Sequence, residues 1–276
     1  MTQHVFDQAL ALAPDDLAAG RFTGQTSAAY WNMVGPFGGT TAALVLQSVL
    51  LHPALLGAPI ALTVNYAAAI EAGPFEIHAV PVRTNRSTQH WTIQITQMDA
   101  GGNPQINTTA TVVTALRRST WGATDAPMPK VPPPSDVAPY GRSPSGVAWF
   151  SQYDMRPVSG AIPGTWDGTG DHSETVVWLR DAQPRPLDFA SLASMSDMFY
   201  PRVWLRRTTR VPAGTVSITT YFHADAAQLA QVGTGHLLGR AVGQQFRNGF
   251  FDQSAQLWSE SGDLLATSNQ IVYFKE

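Results

Sequence analysis

The chain contains no cysteine, which removes disulfides, cysteine-bound metals and a thiol nucleophile at the outset. Charge is nearly as sparse. Asp, Glu, Lys and Arg make up 13% of the 276 residues and leave a net charge of −3, so there is no electrostatic footprint for nucleic acid or an anionic membrane. No apolar run approaches the roughly 18 residues of a membrane span. The opening MTQHVFDQALALAPDD has neither a basic n-region nor a long apolar core, so it does not read as a signal peptide. The expected setting is cytoplasmic, with neither membrane nor nucleic acid among the partners. The histidines at 4, 52, 78, 90, 172, 223 and 236 show no metal-ligand spacing such as H-x-x-x-H. No G-x-S-x-G elbow marks a serine hydrolase. No metal or other cofactor is expected.

What is present is a packable chain. Hydrophobic residues make up 44% of it, which fits one large domain or two of ordinary size. Pro14, Asp15 and Asp16 resemble a helix start before Leu17 and Ala18, and residues 22–31 read as extended. Gly35, Pro36, Phe37, Gly38 and Gly39 form a breaker cluster. Residues 40–51 then read as a mostly apolar helix, buried on most sides and ended by His52 and Pro53. Strands are expected over 62–69, over a pair within 75–97 broken near Thr84 to Ser87, and over 106–116. The last two are separated by a turn at Asp99 to Asn103. Pro127, Pro129, Pro132, Pro133, Pro134, Pro139 and Pro144 mark residues 119–147 as a linker, partly polyproline-like and laid over the surface. Residues 160–170 read as loop and 176–179 as strand.

From Leu187 the order of the first half returns. A helix is followed by a strand over 216–223, a long pair over 236–258 and a last strand over 264–274. Residues 62–66 match 217–221 in pattern, Arg86 and Ser87 match Arg247 and Asn248, and the turn at Gly101 matches that at Gly262. Thr108 and Thr109 then fall opposite Asn269 and Gln270. An offset of about 155–160 residues is far longer than a solenoid repeat and implies a duplicated domain. The expected division is residues 1–118, the linker 119–147, and residues 148–276.

One carboxylate is out of place. Asp197 follows Ala190, Ser191, Ala193, Ser194 and Ser196 and sits between Met195 and Phe199. A carboxylate in a small, apolar segment is costly to bury unless it is paired, hydrogen-bonded or put to work.

A central apolar helix wrapped by an antiparallel meander, twice in one chain, is the double hotdog arrangement, of α+β class. Here the sequence resembles the acyl-CoA thioesterase II family over nearly its whole length. The carriers are Tyr30-Trp31-Asn32 with the glycine cluster at 35–39, the run ASMSD ending at Asp197, residues 215–223 ending in Tyr221-Phe222-His223, and LLATSNQ ending at Gln270. The resemblance implies hydrolysis of acyl-CoA to free acid and CoA, with Asp197, Thr215 and Gln270 sharing one catalytic water. The family often has an acidic residue and a His between the hydroxyl and the aromatic, where this chain has Ser217 and Ile218. The hydroxyl is therefore Thr215, or Thr219 further along the same strand. The first half lacks a Gln at Thr109, so one active site per chain is expected, in the second half. The resemblance also implies a homo-oligomer.

The residue types suit the reaction. An ionised Asp can act as general base, and partial burial raises its basicity. Gln and Thr cannot be bases at neutral pH, but both donate and accept hydrogen bonds and can orient a water. Arg206, Arg207 and Arg210 are either phosphate contacts for CoA or a solvated turn. Two other functions fit the same architecture: a non-catalytic acyl-CoA-binding or scaffold protein, and an enoyl-CoA hydratase or dehydratase. The latter needs a His/Asp pair, and none appears at a helix start.

Overall fold

Apolar residues at every second position give most of the chain to strands. In the computed structural model, which describes residues 3–141 and 146–276, Trp91, Ile93 and Ile95 turn inward on one strand while Thr92 and Gln94 face out. The first half runs α1 (Val5–Ala9), β1 (Leu12–Asp16), β2 (Arg21–Gln25), α2 (Gly38–Leu50), β3 (Ala58–Tyr66), β4 (Pro74–Thr84), β5 (Thr88–Met98) and β6 (Pro104–Ala115). The second half runs β7 (Tyr153–Ser159), β8 (Thr175–Asp181), α3 (Phe189–Met195), α4 (Arg202–Arg207), β9 (Ala213–Phe222), α5 (Ala226–Val232), β10 (Leu237–Val242), β11 (Phe246–Arg247), β12 (Phe250–Ser259) and β13 (Leu264–Phe274).

The strands form one antiparallel sheet in the order β1-β2-β4-β5-β6-β3-β9-β13-β12-β10-β8-β7, with β11 beside β12. The order reads alike from both ends: each half contributes the same six-strand pattern, and the halves meet at β3 and β9. At this seam Val64 lies opposite Ile218 and Thr63 opposite Thr219. The helices α2 and α3 lie together inside the curve of the sheet, the double hotdog architecture. α2 is buried almost all round, from Gly39 to Leu46 and again at Ser48 and Val49, in keeping with its lack of any charged residue. The two helices approach closely because Gly39 lacks a side chain: a Cβ there would stand 2.4 Å from the Ser194 carbonyl oxygen.

The proline-rich stretch covers the outer face of the second half's sheet. Met128, Val131 and Val137 pack on Val176, Trp178 and Leu238. The indoles of Trp178 and Trp258 donate to the carbonyls of Pro132 and Ala126 at 2.9 and 3.0 Å. Residues 142–145 of this stretch, Pro144 included, lie outside the described residues.

Three local expectations are corrected. Pro14, Asp15 and Asp16 belong to strand β1 and start no helix; the Asp16 carboxylate instead accepts the Ala19 N–H at 3.0 Å, closing the turn into β2. The helices α4 and α5 were not foreseen, although Asp225 and Gln228 form a capping box at the start of α5, a signal legible at that spacing. The repeat register is also off by one. Leu62 and Val64 face inward, as do Ile218 and Thr220, so an odd offset between β3 and β9 would match inward with outward positions. Val64 pairs with both Ile218 and Ala110, and Ile218 pairs with both Val64 and Gln270. The first-half counterpart of Gln270 is therefore Ala110, not Thr109.

Candidate active site

Asp197 lies two residues beyond the end of α3, in the turn that follows it. Its N–H donates to the Ser194 carbonyl at 3.2 Å. The preceding Ser196 is held twice: its hydroxyl donates to the Leu192 carbonyl, and its own carbonyl accepts from the Ser268 hydroxyl at 3.0 Å. Strand β13 thus pins the turn through Ser268 and, two residues on, sends Gln270 to the same carboxylate. The Gln270 carboxamide donates to Asp197 Oδ1 at 2.9 Å. Its oxygen accepts from the Thr215 hydroxyl at 3.1 Å. Three of the residues singled out in the sequence therefore form one hydrogen-bonded row, Thr215–Gln270–Asp197.

Thr219 is elsewhere. The pairing of β9 with β13 slips between Ile271 and Val272, where Val216 is left without a partner. Such a bulge reverses the facing of the residues beyond it. Thr215 consequently shares the inner face with Ile218 and Thr220, although an uninterrupted strand would set it with Thr219. The Thr219 hydroxyl is bonded to that of Thr63 across the seam at 2.9 Å.

The other face of Asp197 meets the first half of the chain. A Cβ on Gly38, the first residue of α2, would lie 2.7 Å from Asp197 Oδ2, and the Gly39 amide hydrogen-bonds to the carboxylate. The free N–H groups and dipole at this helix start favour negative charge. Burial works the other way and is the larger effect. It raises the Asp197 pKa to about 7, against the lowering by Gln270 and the Gly39 amide. Tyr66 donates to the Gly38 carbonyl at 2.8 Å, and burial, aided by the Asp197 charge, holds its phenol well above the ordinary range.

The row borders a cavity of about 760 Å³ lined by both halves of the chain, Asp197, Thr215 and Gln270 included. Arg210 lines it too and lies over the Trp204 ring, 5.9 Å from its centroid. Arg206 and Arg207 do not line it. The former donates to the Gly170 carbonyl and the latter pairs with Glu276. Among the described residues no histidine lines the cavity, and no group of three or more His, Asp or Glu is placed to hold a metal ion.

Sequence reasoning passed over Gly38, Tyr66 and Gln253, all of which line this cavity. Gly38 read as a breaker and Tyr66 as a strand aromatic. For Gln253 a signal existed: it shares the parity of Phe251, Ala255 and Leu257, the apolar face of its strand.

Comparison with known proteins gives the family and the fold. The family model for the acyl-CoA thioesterase N-terminal domain matches residues 27–117, and that for the C-terminal domain matches residues 125–274. The chain is similar to a protein of unknown function with a hot dog fold from Alicyclobacillus acidocaldarius, at 46% identity and a TM-score of 0.91, over 100% of this chain and 99% of that one. It shares its fold with the tesB protein of Mycobacterium avium subs paratuberculosis, at 16% identity and a TM-score of 0.77, over 99% and 100% of the two chains. The same holds for the acyl-CoA thioesterase II TesB2 of Mycobacterium marinum, at 17% identity and a TM-score of 0.77, over 98% of each. No curated protein matches the chain.

Proposed function

The chain belongs to the acyl-CoA thioesterase family, and from that premise we propose that it hydrolyses acyl-CoA thioesters through a water held by Asp197, Gln270 and Thr215, with no covalent intermediate. The observation that carries the proposal is the hydrogen-bonded row Thr215–Gln270–Asp197 on the wall of a cavity that adjoins the start of α2.

In this reading Asp197 takes a proton from the water as its oxygen bonds to the thioester carbonyl carbon. A base with a pKa of about 7 is matched to neutral pH, where an ordinary carboxylate is too weak. Gln270 and Thr215 orient the water and limit its freedom. The carbonyl oxygen takes up negative charge, and the backbone amides at the start of α2 are the nearby groups suited to receive it. The carbon–sulfur bond then breaks, the electron pair leaves with sulfur, and the proton held by Asp197 passes to the thiolate. The products are free acid and CoA.

The same proposal places one site per chain, since Ala110 occupies the position equivalent to Gln270 and has no polar group to orient a water. It divides the chain into hotdog repeats at 1–118 and 148–276 joined by residues 119–147. It also takes the enzyme as a cytoplasmic homo-oligomer serving lipid metabolism, on the support of composition and family. A hydratase or dehydratase would need a histidine at the cavity wall, and none is among the lining residues.

The test is thiol release from short to long acyl-CoAs by wild type and by Asp197→Asn. Loss of about 10²–10⁴-fold in the variant, with the fold intact, is the expected result for removal of a general base. Equal rates in both proteins would overturn the role of Asp197. No hydrolysis of any thioester by wild type would favour an acyl-CoA-binding protein.

A further inference from the structure

Gln253 lines the reaction cavity, is 2% exposed, and makes no hydrogen bond through its carboxamide to any described residue; the amide nitrogen is enclosed and without a partner. It stands on β12 directly opposite Gln270. Its neighbours on the inner face, Phe251, Ala255 and Leu257, are apolar and buried. A buried amide without a partner bears its desolvation cost uncompensated, and such groups are rare in folded proteins. An apolar side chain of the same size would fill this place more cheaply. The glutamine is accounted for when something that enters the cavity completes its hydrogen bonds.

The lining of the cavity differs in exposure. Met33, Val34, Ala67 and Arg210 are exposed, whereas Phe199, Tyr200, Trp204 and Phe251 are buried. A large, charged coenzyme belongs beside the exposed residues and an acyl group among the buried aromatic ones. Gln253 is two residues from Phe251 on the same face of β12. Against the Tyr200 ring, 4.9 Å from its centroid, Arg202 is wholly buried, donating to the Tyr200 and Ser173 carbonyls and to the Thr175 hydroxyl. No carboxylate among the described residues pairs with it. A cation without a carboxylate partner makes the neighbouring aromatic part of the cavity attractive to oxygen lone pairs.

Building on the thioesterase reading above, we propose that Gln253 is a specificity-determining residue that selects acyl groups carrying a hydroxyl or oxo oxygen a few carbons from the thioester. Neighbouring strands are about 4.8 Å apart, so Gln253 meets the acyl chain one strand beyond the water held at Gln270. A carboxamide both donates and accepts, which suits a hydroxyl and an oxo group alike.

The test compares kcat/KM on matched pairs, butanoyl-CoA with 3-hydroxybutanoyl- and 3-oxobutanoyl-CoA, and the six-carbon equivalents. It uses wild type and Gln253→Met, which keeps the volume and removes the hydrogen bond. Wild type is expected to favour the oxygen-bearing member by about tenfold or more, because a site built to hydrogen-bond a substrate group rejects the analogue lacking it. In Gln253→Met that ratio falls to near one. A wild-type ratio near one on all pairs overturns the inference while hydrolysis itself stands. An equal loss on both members in the variant also overturns it, placing Gln253 at the reacting carbonyl or in the scaffold. Absence of hydrolysis on every member by wild type removes the thioesterase reading and this inference with it. The wild-type ratio needs no variant, so a Gln253→Met protein that fails to fold still leaves the inference open to refutation.

Discussion

Asp197 and Gly38 belong to different halves of the chain, yet a methyl group on Gly38 would stand 2.7 Å from the Asp197 carboxylate oxygen. No rotamer of an alanine relieves that contact, since a Cβ cannot move independently of the backbone. The same methyl would lie 3.2 Å from the Tyr66 hydroxyl, so it is crowded on that side as well. Gly38→Ala is therefore expected to act on the chemistry more than on the fold. A displacement of about 1 Å in a positioned catalytic group costs on the order of 10²-fold in rate. Thiol release and the thermal midpoint, measured together, separate this from general destabilisation.

The pH behaviour follows from the same carboxylate. With a pKa of about 7 in the folded protein, this carboxylate, the base in the proposed reaction, is mostly ionised only above that value. The expected kcat/KM therefore rises through about pH 7 to a plateau. Stability runs the other way. The folded pKa exceeds the value of about 4 in an unfolded chain, so Asp197 contributes stability that is complete below about pH 4 and is lost as pH rises through 7. Asp181, raised to about 7 chiefly by its burial, adds a decline of the same sign. Asp197→Asn should remove its own part. Thermal midpoints of wild type and variant at intervals from pH 4 to 8 are expected to diverge progressively, the variant gaining relative to wild type as pH rises.

The two threonines of β9 make a paired test. Thr215→Val removes the donor to Gln270 and is expected to lower kcat by about 10–100-fold, with the carboxamide free to turn away from Asp197. Thr219→Val breaks the hydroxyl bond to Thr63 at the seam. That is expected to leave turnover alone and to cost about 0.5–1.5 kcal/mol of stability, read from denaturant midpoints. The reverse pattern would move the water-holding hydroxyl to Thr219.

Much of this was legible because burial and secondary structure follow the alternation of apolar residues. The helix α2, the hairpin β4–β5 and the last strand all lie close to where their patterns put them. Asp197 stood out because a carboxylate among Ala, Ser and Met has no local reason to be there. Thr215 was harder, since the extra residue at Val216 is an ordinary valine, and only the pairing partner reveals which residue is surplus. The Ala110 counterpart of Gln270 was missed for a related reason. Period-two patterns slip by one residue without changing in appearance, and only burial shows which parity is inward. Gln253 was hidden by its type: a glutamine in a strand is usually read as facing water, and its apolar companions at 251, 255 and 257 were the clue to the contrary.

The seam between β3 and β9 has a consequence for how the molecule comes into being. Each strand is the edge of its own half's set in the sheet, so either half alone would present an open edge, a template on which other chains pair and aggregate. The first half leaves the ribosome first and carries that edge until β9 has been made. Joining both halves in one chain supplies the matching strand from the same molecule, at a high effective concentration that strangers cannot rival. The duplication thus shields the first copy's edge while leaving the two copies free to diverge.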